Sequence, residues 1–261
     1  MNRKPKIARN KAALRKRVAR FFEYGNPNRN EVRGLVEALT SAYPVYVFGG
    51  MIRDICLEGI QGFKSDIDLV FDSNKKELGK IIAKYSIDNI TPNKFGGYRI
   101  RKNSWDVDIW CLEDTWAFKE GFVKNDNIES LFNTTLLTWD AAIYDIEAKR
   151  LSVSSIFFEH LLKGKIDVVL SQNPNEIGAT VRILRAIYAK NARIIGINAA
   201  NVLLKNFKNL SNLEILEHEK SSYPTHVLTV SKIQKIKLLL QNFDQENDIF
   251  LSTDQQCFLD L

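Results

Sequence analysis

Cysteine and histidine are scarce: the 261-residue chain holds three of each. Cys56, Cys111 and Cys257 show neither pairing nor metal spacing, which excludes a disulfide framework and a thiolate zinc site. Two of them sit among apolar residues and read as core fillers, and the odd count fits a reducing cytoplasm. His160, His218 and His226 stand far apart and suggest no shared chemistry. Also missing is any apolar run near the ~18–20 residues of a membrane span, so no membrane partner is expected. The start is too basic and too interrupted for a signal peptide. No internal repeat or low-complexity tract occurs. What remains is an ordinary globular composition, 45% hydrophobic and 26% charged, with room for one large or two small domains.

Charge is unevenly placed. The net charge is +6, yet residues 1–33 alone carry eleven Lys and Arg against Glu23 and Glu31. In this region Leu14, Val18, Phe21 and Phe22 recur at helical spacing. Arg9, Lys11, Arg15, Lys16, Arg17 and Arg20 fill the other faces. The pattern predicts a basic amphipathic helix from about residue 6, its apolar stripe docked on the body. Its charged side suits an RNA backbone, because Lys and Arg replace condensed counterions on phosphates. A merely solvated face is the plainer reading. Residues 25–30 read as a loop, and Glu31–Tyr43 as a second amphipathic helix stopped by Pro44.

The centre of the chain is VYVFGGMIRDICLEGIQGFKSDIDLVFD, residues 45–72. Val45–Phe48 predicts a buried strand, and Met51–Leu57 has apolar residues at helical spacing. Gly49 and Gly50 lie between them, at a helix N-terminus whose unpaired amides attract phosphate. Arg53, in the first turn, adds a fork of donors for the same anion. A second strand follows, in which Asp66 and Asp68 share a face. Adjacent carboxylates repel unless a cation lies between them, and Mg²⁺ is the natural partner of hard oxygen ligands. A phosphate cradle beside such a pair implies phosphoryl or nucleotidyl transfer from a nucleoside triphosphate. Separately, a glycine pair is common turn punctuation and an Asp-x-Asp is weak; the two in one unit are far more specific.

Together, GGMIRD and SDIDLV resemble the signature of the polymerase-β-like nucleotidyltransferases. The match is best to the branch containing CCA-adding enzymes and bacterial poly(A) polymerases. The resemblance implies a third carboxylate on a neighbouring strand. In WDVDIW, residues 105–110, Asp108 fits that place best, with Asp106 the alternate and a solvent-facing edge strand the plainer reading. LLTWDAAIYD, residues 136–145, is similar to the family's second motif at Thr138, Asp140, Ala141 and Asp145. The Arg-Arg-Asp that precedes this motif and contacts nucleotide in the family is replaced here by Thr134, Thr135 and Leu136. The helix NPNEIGATVRILRAIYAK, residues 173–190, resembles the family's arginine helix, which assigns Arg182 and Arg185 to the nucleotide. Two solvated arginines are the alternative.

The expected architecture has three parts. A basic N-terminal helix or arm spans 1–30. An α/β (α+β) nucleotidyltransferase head with a small mixed sheet spans 31–170. An all-helical C-terminal domain spans 171–261. The expected activity is Mg²⁺-dependent transfer of NMP from ATP or CTP to an RNA 3′ end, tRNA included. Two ions would be held by Asp66, Asp68 and Asp108, and the triphosphate by Gly49, Gly50 and Arg53. Transfer to a protein or small molecule, and a catalytically degenerate RNA-binding module, are the competing readings.

Overall fold

A computed structural model describes residues 7–23, 27–93, 96–102 and 105–251. Cys257, the basic segment before residue 7 and residues 94–95 lie outside the described residues. The chain divides into two compact units, residues 1–135 with 139–158 and residues 136–138 with 159–261.

The first unit opens with α1 (Lys11–Glu23) and α2 (Pro27–Thr40). Helix α2 therefore begins inside the segment expected to be a loop, with a proline in its first position, where a missing N–H costs nothing. Next come β1 (Val45–Phe48), α3 (Gly50–Gly62), β2 (Ile67–Phe71) and α4 (Lys75–Lys84). Asn74 caps α4 by accepting the Glu77 amide at 3.1 Å. The unit continues through β3 (Ile90–Pro92), β4 (Tyr98–Lys102), β5 (Trp105–Cys111) and the short α5 (Trp116–Lys119). It closes with β6 (Ala142–Asp145) and β7 (Arg150–Val153).

These strands form one seven-stranded mixed sheet in the order β3-β4-β5-β2-β1-β6-β7. Strands β2 and β5 run parallel, and the other neighbours are antiparallel. Strand alternation gives the sheet two unlike faces. Val45, Val47, Ile67, Leu69, Phe71, Val107 and Ile109 are buried, and α2 and α3 pack on the central strands. Burying each such side chain contributes roughly 1.5–3 kcal/mol. The opposite parity carries Asp68 and Val70 on β2, Asp106, Asp108 and Trp110 on β5, and Tyr46 and Phe48 on β1. Over its apolar end Leu112 and Leu131 cover Tyr46, Val70 and Ile143. Its acidic end carries the candidate site residues Asp68 and Asp108.

Helix α1 is part of this unit. Leu14, Val18, Phe21 and Phe22 are buried, and Phe21 meets Phe63 and Trp105 edge-on at 5.6 and 5.3 Å. The Ala8 amide donates to the Cys56 carbonyl at 2.9 Å. The basic segment is thus no separate arm where it is described.

Helix α6 (Phe157–Lys163) carries the chain into the second unit, which contains β8 (Lys165–Ile166), α7 (Glu176–Tyr188) and β9 (Ile194–Ile195). Helices α8 (Ile197–Phe207), α9 (Asn212–Ser222) and α10 (Val230–Gln241) follow, and then β10 (Ile249–Phe250). The unit is helical, as expected, with a small sheet in the order β10-β9-β8 added. It takes in residues 159–170, ahead of the expected boundary at 171, because β8 pairs with β9 and the Val169 amide donates to Leu136. No described helix is long and apolar enough to cross a membrane.

Candidate active site

The glycine turn is built as a strand-to-helix corner. The Gly49 amide donates to the Ala142 carbonyl at 3.0 Å, extending the sheet by one residue. Its carbonyl then accepts from Ile52 at 3.0 Å, starting α3. Gly49 has φ 67° and ψ −115°, a combination open to glycine and strained for any other residue. Gly50 needs no such freedom; a Cβ there would rest 3.4 Å from Arg53 Nη2. The amides of Gly50 and Met51 precede the first intrahelical bond of α3, which makes this corner an anion site in type.

Arg53 sits differently from its expected role. Its Nε donates to Asp54 Oδ1 at 2.7 Å, and its Nη1 donates to Asp140. Asp54 also accepts from Ser65 Oγ at 3.2 Å. The guanidinium is therefore a clamp between α3 and the 138–140 turn beside Gly50, its charge already balanced by two buried carboxylates.

Asp68 and Asp108 share one face of the sheet. Asp68 and Asp108 stand at the same register on parallel β2 and β5, and Asp66 precedes β2 by one residue. Strand β5 is interior, between β4 and β2, so Asp108 is not on an edge. Its partner on antiparallel β4 is Arg99. Arg99 Nε and Nη2 donate to Asp108 Oδ1 and Oδ2 at 2.8 and 2.6 Å, and Nη2 reaches Asp66 Oδ2 at 3.1 Å. Arg101 likewise donates to Asp106 at 3.0 Å. Partial burial raises the Asp66 carboxyl above its usual range; Arg99 opposes this, and Asp108 and Asp106 add to it. The hydrogen bonds to Asp108 push the Arg99 guanidinium above its ordinary value.

Among the described residues no three His, Cys, Asp or Glu side chains converge as a ready-made metal centre. Arg99 engages both oxygens of Asp108 and one of Asp66. The donor types still suit a hard divalent cation: a carboxylate on β2, another just before it, and a third at matching register on β5.

Arg99 is the residue that sequence reasoning missed, although the hairpin shows the signal. Basic residues alternate in Tyr98–Lys102 as acids do in Trp105–Asp108, and antiparallel pairing sets Arg99 against Asp108 and Arg101 against Asp106. Asp54 and Asp140, the partners of Arg53, stood in recognised motifs without an assigned contact.

In the second unit Arg182 is exposed on α7. Arg185 donates to the buried Glu219 at 2.5 Å and to the Thr225 carbonyl at 2.7 Å, and stacks on Tyr223 at 4.0 Å. Where the family motif has Arg-Arg-Asp, the Thr134 and Thr135 hydroxyls donate to the Leu131 and Phe132 carbonyls, closing a 3₁₀ turn, and Leu136 is buried. Arg9, just before α1, and Lys11, Arg15, Lys16 and Arg20 on it are exposed. Arg17 is half-buried and donates to the Cys56 carbonyl at 3.3 Å. Lys149 and Arg150, exposed on the β6–β7 turn, lie beside this helix, and Arg15 donates to the Lys149 carbonyl at 3.4 Å.

The first unit joins a strand–Gly-Gly–helix corner to acids on parallel strands of a mixed sheet, and the chain shares its fold with solved CCA-adding and tRNA-processing enzymes. Among solved structures it is similar to a CCA-adding enzyme in complex with CTP, at 20% identity and TM-score 0.50, covering 92% of this chain and 62% of that one. A tRNA nucleotidyltransferase complexed with a primer tRNA and an incoming ATP analogue matches at 18% identity and TM-score 0.53, covering 80% and 60%. A tRNA-processing enzyme in an apo form matches at 18% identity and TM-score 0.53, covering 97% and 63%. The chain thus spans about three fifths of the length of these proteins. At such identities the likeness is one of fold. No protein-family model matches the chain, and none of the curated proteins does.

Proposed function

We propose that this protein is a Mg²⁺-dependent nucleotidyltransferase that moves NMP from ATP or CTP to an RNA 3′ end. The observation that carries the reading is the matched register of Asp68 and Asp108, with Asp66 linked to Asp108 through Arg99. The fold, and the CTP, ATP analogue and primer tRNA named with its structural neighbours, support it.

Asp66, Asp68 and Asp108 are the residues that would hold two Mg²⁺ ions. When bound, such ions lower the pKa of an attacking hydroxyl and neutralise a departing pyrophosphate. The first-turn amides of α3 receive polyphosphate oxygens, and the Gly49 backbone lets them approach. Arg53 holds that corner to Asp140 and so fixes the direction of the amides. Most of the rate gain comes from positioning and from charge complementarity set before the reaction. Arg182 and Arg185 are assigned to the nucleotide by the family resemblance; for Arg185, the Glu219 contact adds a structural duty.

The exposed basic side of α1 is proposed as an RNA-backbone contact. Replacing Arg15, Lys16 and Arg20 together by Ala should flatten the dependence of log K on log salt by about 2, at ~0.7 per phosphate of a single strand. An unchanged slope would leave α1 a solvated face.

The uncharged Thr134-Thr135-Leu136 favours one second reading, a module that binds RNA and has lost transfer. Incubation with labelled ATP or CTP and total RNA separates the two. Label on RNA supports transfer, label on protein or a small molecule redirects the acceptor, and no label with RNA retained supports the module.

A further inference from the structure

The acid cluster contains its own cation. Arg99 is bidentate on Asp108 and also reaches Asp66, with its side chain 43% exposed. These are two of the three carboxylates to which the proposed function gives a divalent ion. A guanidinium and a metal ion cannot both take the same carboxylate oxygens at full strength, since each neutralises the charge that attracts the other.

We propose that Arg99 is a displaceable counter-ion of the acid cluster: it occupies Asp108 and Asp66 while the site is empty and competes with divalent cation for them. This rests on the nucleotidyltransferase reading of the site and deepens it. The positions of the charges support displacement over a permanent strut. Arg99 sits on β4 near the sheet edge, half-exposed, so a released guanidinium has water to enter. Asp68 is held at the Asp108 register by the strand pairing itself, independent of Arg99. Arg99 offsets one of the three negative charges of Asp66, Asp68 and Asp108, so a lone divalent ion gains less there than at three bare carboxylates. A nucleoside triphosphate that arrives with its metal offers phosphate oxygens as a second partner for the freed guanidinium. Arg99 then favours loading of ion and polyphosphate together over loading of the ion alone.

The test reads metal binding directly. Mn²⁺ is titrated without nucleotide into wild type, Arg99→Met and Arg99→Lys, with free ion followed by electron paramagnetic resonance and folding by circular dichroism. Removing one unit charge beside the ion should tighten Mn²⁺ binding by about tenfold or more in Arg99→Met. Arg99→Lys keeps the charge without the fork, so it should fall between wild type and Arg99→Met. If Arg99→Met lowers affinity or leaves it unchanged while wild type binds, Arg99 is a strut and the proposal fails alone. Should Arg99→Met not fold, equal affinity in Arg99→Lys and wild type overturns it. If no folded variant binds Mn²⁺ at all, the cation site itself is wrong, and the functional reading falls with it.

Discussion

Replacing Arg53 by Met tests whether this residue is a buried clamp or an exposed phosphate ligand. Its side chain is 12% exposed, and its partners Asp54 and Asp140 are 7% and 4% exposed. The substitution leaves two buried carboxylates without their guanidinium, and breaking a buried pair from one side typically costs about 3–5 kcal/mol. That is a large part of the about 5–15 kcal/mol that holds a domain together. With a urea slope of about 2 kcal/mol/M, the midpoint should fall by about 2 M. All four tryptophans, Trp105, Trp110, Trp116 and Trp139, lie in the first unit, so their fluorescence reports the unit that Arg53 braces. Adding Asp140→Asn to Arg53→Met should return part of the loss, since one buried charge is then gone. An Arg53→Met midpoint within about 0.3 M of wild type, the range of an ordinary surface substitution, would refute the clamp.

Three further outcomes are expected. Gly49→Ala should destabilise the first unit by about 1–3 kcal/mol through its φ of 67°, while Gly50→Ala, which meets only the movable end of Arg53, should cost less than about 1 kcal/mol; paired urea titrations compare them. Arg185→Met strips the buried Glu219 of its ion partner and should speed hydrogen exchange in α7 and α9. Burial holds His160 below its ordinary value of 6.5, with Lys165 acting the same way. The unfolded chain therefore takes up this proton first as pH falls, so the stability tied to neutral His160 is present above the unfolded value and is lost below it. Exchange protection of α6 should drop between about pH 7.5 and about 5.5 in wild type, and by less in His160→Gln.

The central strand–turn–helix–strand was legible because each signal agreed with its neighbours. An apolar run ran into two glycines, then helical spacing, then an acid alternation. Helices α7, α8, α9 and α10 fall within the segment expected to be helical. Strands β3, β6 and β7 were not legible. They are three or four residues long, and β3 contains Pro92, so their pairing partners rather than their own patterns make them strands. Likewise the 136–138 segment joins the second unit through bonds from Thr138 to Asp167 and from Val169 to Leu136, which no local pattern announces. At the site the acids could be placed on faces by counting in twos. The roles of Arg53 and Arg99 could not, because a guanidinium's partners depend on which strands and turns meet in space.

The most direct measurement is transfer of labelled nucleotide by wild type and Asp68→Asn, side by side, with Mg²⁺ and total RNA, both proteins shown to be folded by tryptophan fluorescence. Label should enter RNA at its 3′ end with wild type and vanish with Asp68→Asn. Equal labelling by both proteins, or none on any acceptor with wild type, would contradict the assignment of this carboxylate face to nucleotidyl transfer.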